Sequence, residues 1–418
     1  MKATESNLKQ TRKSAYLRIF GLLILCVFLM KLYEGFSKEK SSIPLFDEVD
    51  DAIHRSASYL VKRTKEDGMF EYLVNMEPAI KVKDDYSILR HAGTIYAMCV
   101  YYERHPDERM WSAIERAGRY LQNESILPVP GNDSMLAVWS KPEVNESGKP
   151  LQIELGGTGL GLVALLSIEG IFPGFTSLPD LKALGQSIVY MQKEDGSFYS
   201  KYIPSRGRNQ DNWQSLDYPG EAALGLLMLY EKDGSSIWLK SAYQALEYLA
   251  RKRENSADIP ADHWALLATE RILSLDDSSE VPISRPLLVN HALQICETII
   301  REQIDDPERP KYDGGFSEDG RTTPTATRLE GLLAAFSLLP RTHEMHKLIK
   351  SSVPRGISFL IRAQIKEGEF TGAVPRSVDK KRGNSSDAKE FNRRATEVRI
   401  DYVQHAMCAM MQYRQSKK

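Results

Sequence analysis

The chain has 418 residues, and its 55 Lys and Arg against 56 Asp and Glu leave a formal net charge of -1. A near-neutral chain of this length buries a substantial core and is no general nucleic-acid binder, so the basic run Lys380, Lys381 and Arg382 reads as a solvated loop. Cys26, Cys99, Cys296 and Cys408 stand apart inside apolar stretches, with neither a disulfide framework nor a zinc spacing; no metal and no other cofactor is expected.

Residues 1–18 form a basic tail carrying Lys2, Lys9, Arg12, Lys13 and Arg18. The apolar run from Ile19 to Met30 reaches Phe36 when Arg18 and Lys31 snorkel to the interfaces, which predicts a transmembrane signal anchor over 19–36. A cleaved signal peptide is the alternative, with Gly35 and Ser37 as the small cleavage pair. Either reading puts the remainder of the chain outside the cytoplasm: the expected protein is single-pass in the cell membrane, with a linker over 37–50 and one extracytoplasmic domain over 51–418.

Within that domain, polar amphipathic helices are predicted near 52–66, 108–122, 179–194, 235–253, 286–303 and 345–365. Each leads through a Gly/Pro-rich loop to a more apolar helix, beginning near Tyr86, Ile153, Tyr218, Asp262, Thr325 and Val398. The joints repeat: Tyr59, Leu60, Thr64, Gly68 and Phe70 share spacing with Phe359, Leu360, Gln364, Gly368 and Phe370. Gln192, Gly196 and Phe198 repeat the second half, and Tyr312, Gly314, Gly315 and Phe316 form a degenerate copy. Such a glycine can take the left-handed conformation that ends a helix, while the aromatic packs back over the hairpin. Gly156, Gly157, Gly159 and Gly161 have neither a preceding strand nor a following Lys-Ser/Thr, so they read as close helix packing and not as a phosphate cradle. Strands are expected only as short pieces in loops, and the polar stretch from Glu367 to Glu397 as a flap or a disordered segment. Six helix pairs close an (α/α)6 barrel, so the expected fold is all-α, preceded by one membrane helix.

The spacing of Phe359, Leu360, Gln364, Gly368 and Phe370 resembles the repeated motif of triterpene cyclases, and a helix-hairpin toroid is similar to protein prenyltransferases. The Asp-rich protonation motif of the first and the zinc set of the second are missing from this sequence. The hairpin count and charged rim, from about residue 50 onward, resemble six-hairpin glycosidases, uronic-acid-processing enzymes and N-acylglucosamine epimerases. That resemblance implies a saccharide substrate and transfers no site residue.

The candidate site residues lie at the inner-helix starts. If these helices are staves of one barrel, Arg90, His91, Glu154, Glu221, His263, Trp264, Arg328, Glu330, Arg399, Asp401, Tyr402 and His405 meet at one rim. Hydrolysis needs two carboxyl groups, and of Glu154, Asp217, Glu221, Asp262, Glu330 and Asp401 the expected pair is Glu221 and Glu330, whose burial raises their pKa. Elimination or epimerisation needs a proton acceptor beside a carboxylate, for which His405, oriented by Asp401, His91 or Tyr402 would serve while Arg90 or Arg399 neutralises the enolate. Arg328, Glu154, His263 and Trp264 are expected to bind substrate, with Trp139 and Trp213 as sugar platforms. Capping explains any single carboxylate in a first turn, and a polar clasp between the chain ends explains the Arg90 and Arg399 quadrant. The expected function is a membrane-anchored carbohydrate-active enzyme of the cell envelope, a hydrolase, lyase or epimerase of an acidic saccharide. A non-catalytic glycan-binding or assembly protein and an isoprenoid toroid are the alternatives.

Overall fold

A helix buried on most of its circumference must be surrounded by other helices, and the chain meets that demand with two concentric layers. The computed structural model describes residues 44–83, 85–144, 150–207, 213–275 and 281–417. The expected anchor over 19–36, its basic tail and Asp84 lie outside them.

The outer layer is α1 (Phe46–Arg63), α3 (Glu108–Tyr120), α5 (Leu178–Tyr190), α7 (Ser236–Arg253), α9 (Arg285–Arg301) and α11 (Glu344–Ala363). The inner layer is α2 (Ile88–Tyr102), α4 (Leu155–Ile171), α6 (Tyr218–Asp233), α8 (His263–Ser274), α10 (Thr322–Leu338) and α13 (Ile400–Gln415). Each inner helix packs on the next, and α13 packs on α2, so the expected barrel is closed. Small residues set the spacing of this ring: a Cβ on Gly159 of α4 would lie 2.8 Å from the Ala222 nitrogen of α6. Among the described residues no helix is long and apolar enough to cross a membrane.

The repeated joints clip the outer layer together. Gln192, Gln303 and Gln364 each follow an outer helix and donate Nε2 to a carbonyl of the next outer helix, at Ser241, Ser352 and Ala52 respectively. The last of these bonds joins the end of the sixth hairpin to the first. Gly68, Gly196, Gly314 and Gly372 have φ of +86°, +88°, +81° and +87°, and any Cβ there would come closer than 3.0 Å to a backbone carbonyl of Arg116, Gln244, Arg355 or Arg55. The expected glycine of the last repeat, Gly368, faces open space instead. A longer turn moves the helix contact four residues on: Ile365 N bonds Ala373 O, as Lys65 N bonds Met69 O and Lys193 N bonds Ser197 O.

The loops ahead of the inner helices carry more structure than the sequence suggests. Strands β2 (Ile126–Val129), β3 (Asn132–Ser140), β4 (Gln152–Glu154) and β5 (Lys201–Tyr202) form an antiparallel sheet in that order, preceded in the chain by β1 (Leu73–Asn75). The run from Met135 to Trp139 is too short and continuous for its period to separate a buried strand from a helix. Within the stretch expected as flap or disorder lies α12 (Ser386–Ala395), capped by Ser385 Oγ and anchored by buried Ala388 and Phe391. It leads into β6 (Glu397–Arg399), which pairs with β1 and ties the last hairpin to the first.

Gly372→Ala combines a strained φ with a backbone clash and is expected to destabilise the domain by about 2–4 kcal/mol. Gly368→Ala, strained but unobstructed, is expected to cost about 1 kcal/mol. Urea unfolding of both variants checks the order.

Candidate active site

Ring closure brings the first turns of α2 and α13 side by side. Arg399 clamps Asp401 with Nε and Nη2 at 2.5 and 2.9 Å, and Arg90 Nε reaches the same carboxylate at 3.2 Å. Arg90 Nη1 also donates to the Tyr72 hydroxyl, 3.1 Å away. Burial alone would raise the Asp401 carboxyl, but the two guanidinium groups outweigh it and hold it at about 2. Two arginines share one carboxylate, which takes Asp401 and Arg399 out of proton transfer and leaves Arg90, with 37% of its side chain exposed, facing the rim.

The second cluster joins α8, α10 and α13. His405 Nδ1 lies 2.7 Å from Glu330 Oε1, so Glu330, and not Asp401 as expected, orients this imidazole. Burial opposes charge on both partners, yet Glu330, then Asp401 and Asp217, raise His405 above its ordinary value; the pair holds one proton on that hydrogen bond. His263 faces His405 edge to face, with ring centroids 5.5 Å apart. Burial, His405 and Arg328 drive His263 well below its ordinary value, so it is neutral, and its Nε2 has no hydrogen-bond partner among the described residues. Two facing imidazoles are thus pushed in opposite directions.

Two carboxyl groups on α6 complete the site. Asp217, at the N-cap but making no cap hydrogen bond, stays partly exposed; burial, then the charge of Asp262, lift it to about 6 against His405 and Arg90. It was one carboxylate among several in the sequence, because an aspartate before a helix is ordinarily a cap. Glu221 is 3% exposed and raised well above the usual range by burial and then by Asp217, as expected, and its Oε2 lacks a hydrogen-bond partner among the described residues. Glu330 is raised by burial too, but it is 1% exposed and spent on His405. Of the expected hydrolytic pair, Glu221 is thus a buried acid without a hydrogen-bond partner among the described residues, and Glu330 is the partner of His405.

Other expected site residues are placed elsewhere. His91 is fully buried: its Nε2 donates to the Ala117 carbonyl at 2.9 Å, its Nδ1 accepts from Tyr86, and burial lowers it to about 4. It fastens α2 to α3. The Tyr402 ring lies under the Arg399 guanidinium at 4.6 Å and is 4% exposed. Arg328 turns outward to Glu302 at 2.5 Å. Trp264 and Trp139 are each 3% exposed, packed against His405 and bonded to the Leu127 carbonyl respectively, so neither is a platform. Asp262 caps α8 and pairs with Arg253. Glu154 stands at the end of β4, accepting from Gln152 and Ser140 with Lys201 4.0 Å away. Among the described residues no group of three or more His, Cys, Asp or Glu could hold a metal ion.

No family model matches the chain, and no curated protein matches it in sequence. Solved structures do match in fold. A sugar epimerase from a ruminal bacterium superposes with a TM-score of 0.63 at 12% identity, over 89% of this chain and 99% of its own. The chain has the six-hairpin α/α-toroid fold. A D-mannose isomerase superposes at 0.61 with 10% identity, over 87% of this chain and 96% of its own. An α-1,6-mannanase from Salegentibacter sp. gives 0.56 and 11%, over 88% and 99%. These identities show the toroid alone, a fold that these carbohydrate-active enzymes share.

Asp401→Asn would leave the partly buried Arg399 guanidinium and the more exposed Arg90 short of a counter-charge, with an expected cost of about 1–3 kcal/mol. Because the Asp401 pKa is depressed in the fold, its contribution is full above the unfolded carboxylate value and is lost as pH falls toward about 2. Thermal unfolding from pH 7 down to pH 2 should therefore show wild type and variant converging in acid.

Proposed function

We propose that the chain is a carbohydrate-active enzyme that moves a proton at a saccharide carbon, an epimerase or isomerase reaction. The observation that supports this most is the pair of facing imidazoles, His405 tied to Glu330 and His263 neutral, whose surroundings separate their proton affinities. Opposite shifts of two neighbouring groups are how one site supplies an acid and a base at the same pH. A proton beside a sugar carbonyl or carboxylate is acidic enough for neutral His263 to accept it, while protonated His405 offers its Nε2 hydrogen to the oxygen on which charge develops. Return of a proton to the other face of that carbon gives the epimer; return to the neighbouring carbon gives the isomer. Solved toroids described as a sugar epimerase and a D-mannose isomerase make the reaction compatible with the fold.

An acidic saccharide is the proposed substrate, because the exposed part of Arg90 offers charge near Asp217 and Glu221. The basic tail and apolar run over 19–36 support a membrane-anchored, extracytoplasmic setting, for which retention of the full chain by carbonate-washed membranes is the expected outcome. A specific observation also favours hydrolysis as a second reading: Asp217, open and lifted to about 6, is suited to protonate a glycosidic oxygen. The isoprenoid reading needs an aliphatic and aromatic wall, whereas the side chains gathered here are ionisable.

Incubating the full chain in deuterated water with reducing hexoses, hexuronates and N-acylhexosamines tests the assignment. One deuterium at the carbon next to the carbonyl or carboxylate, with altered stereochemistry, is expected; His405→Asn and His263→Asn should each slow it by at least about 100-fold. Oxygen-18 from labelled water in a cleaved glycan, with no carbon-bound deuterium, would instead establish hydrolysis. The active form needs protonated His405, which is lost as pH rises through its raised pKa. Asp217→Asn should therefore move the alkaline limb of kcat/KM to lower pH, and Glu330→Gln further still, since Glu330 contributes more to that raised value.

A further inference from the structure

Of the five tryptophans, Trp139, Trp238 and Trp264 are at most 3% exposed, and Trp111, partly buried, stacks on Phe172. Trp213 is 50% exposed, yet it is held in place. Its ring meets Tyr218 at 78° with centroids 5.7 Å apart, and Lys201 Nζ stands 4.6 Å from its centroid. Tyr218 shares the first turn of α6 with Glu221, next to Asp217, and Lys201 is paired across β4 and β5 with Glu154. An indole with Tyr218 at its edge and the Lys201 ammonium over one face, half of it in water, leaves its other face as a flat apolar surface.

From this geometry we infer that Trp213, Tyr218, Lys201 and Glu154 form a second sugar subsite, which takes a neutral hexose unit linked to the one at the imidazoles. The C–H face of a pyranose covers the exposed indole, and its hydroxyls meet the Lys201 ammonium and the Glu154 carboxylate. Those two charges, 4.0 Å apart, cancel, so the subsite has no net attraction for a charged unit. Tyr218 is the hinge between the two subsites: its phenol is near Glu154, Glu221, Arg90 and Asp217. The substrate class is accordingly an oligosaccharide. This inference rests on the reading of the rim as a saccharide site and not on the proton transfer.

The test uses the full chain with α-1,6-mannotriose, cellotriose and maltotriose, against mannose and glucose. Because Trp213 is the most exposed tryptophan, the part of iodide quenching that Trp213→Ala removes reports on it. At least one trisaccharide is expected to lower the quenching constant about 2-fold or more where its monosaccharide does not. Trp213→Ala is expected to weaken that trisaccharide about 10-fold by calorimetry, with Trp213→Tyr recovering part of the loss. Trisaccharides that protect no better than monosaccharides, or that bind Trp213→Ala as tightly as wild type, overturn the subsite. Protection by a trisaccharide, with no deuterium uptake by any sugar of the hexose, hexuronate and N-acylhexosamine panel, keeps the subsite and removes the proton-transfer reading; deuterium uptake in that panel with unchanged trisaccharide binding by Trp213→Ala does the reverse.

Discussion

Everything the molecule does at its rim depends on the sixth hairpin docking against the first. Residues more than three hundred positions apart, Gln364 and Ala52, Asp401 and Arg90, must find each other before any cavity exists. Helix packing alone closes the inner ring, since α13 and α2 are both largely buried. Directional contacts then fix the seam. The β1–β6 pairing sets its register on the outside, and the Arg90, Asp401 and Arg399 cluster fastens it at the rim. A seam fastened by one carboxylate between two guanidinium groups is weakened by losing that carboxylate, because the partly buried Arg399 is then left without its counter-charge.

Closure also explains why the site is electrostatically divided. Asp401 and both arginines sit on the seam and neutralise most of one another, while α6, α8 and α10 bring Asp217, Glu221, His263 and Glu330 to the axis, where Glu330 is tied to an imidazole and not to a guanidinium. Asp217 is raised and Asp401 lowered although both are carboxylates at the starts of inner helices. The difference is the neighbour: Asp217 faces the charge of Asp262 across the gap from α6 to α8, and Asp401 faces two guanidinium groups. One architecture, repeated, yields a proton-binding carboxyl at one stave and a permanently ionised one at another.

The hairpin count, the order of the helices and the rim itself were legible in the sequence, because they rest on helix period, glycine turns and first-turn polarity. The rotation of each inner helix was not. Successive residues on an α-helix point about 100° apart, so of Arg90 and His91 only one can face the axis. It is Arg90, and His91 points back to the Ala117 carbonyl of the outer layer. The same rule separates Glu330, which meets His405, from Arg328, which meets Glu302, and Asp401 from Tyr402. An outer helix announces its orientation through its apolar stripe, but an inner helix apolar on all sides has no such stripe to read. The joint glycines mark a similar boundary: the motif was visible, but only backbone contact distinguishes Gly372, pressed on α1, from Gly368 four residues earlier.

This loss of phase bears directly on the choice of chemistry. Without the rotation, the rim offered Glu221 and Glu330 as two interchangeable carboxyl groups, and a hydrolytic pair was the natural expectation. With rotation fixed, Glu330 is the hydrogen-bonded partner that raises the proton affinity of His405, and Glu221 is a buried acid beside Tyr218. A buried glutamate bonded to an imidazole is worth more as an electrostatic support than as an acid, since any proton it gives up is reclaimed by the neighbouring ring. The carboxyl and imidazole groups at the starts of α6, α8 and α13 not held by a guanidinium are therefore the two imidazoles, Glu221 and Asp217, of which Asp217 is the most exposed. What separates those two chemistries is whether the proton goes to a carbon or to a bridging oxygen, and the proposed transfer to carbon rests on the opposed shifts of His405 and His263.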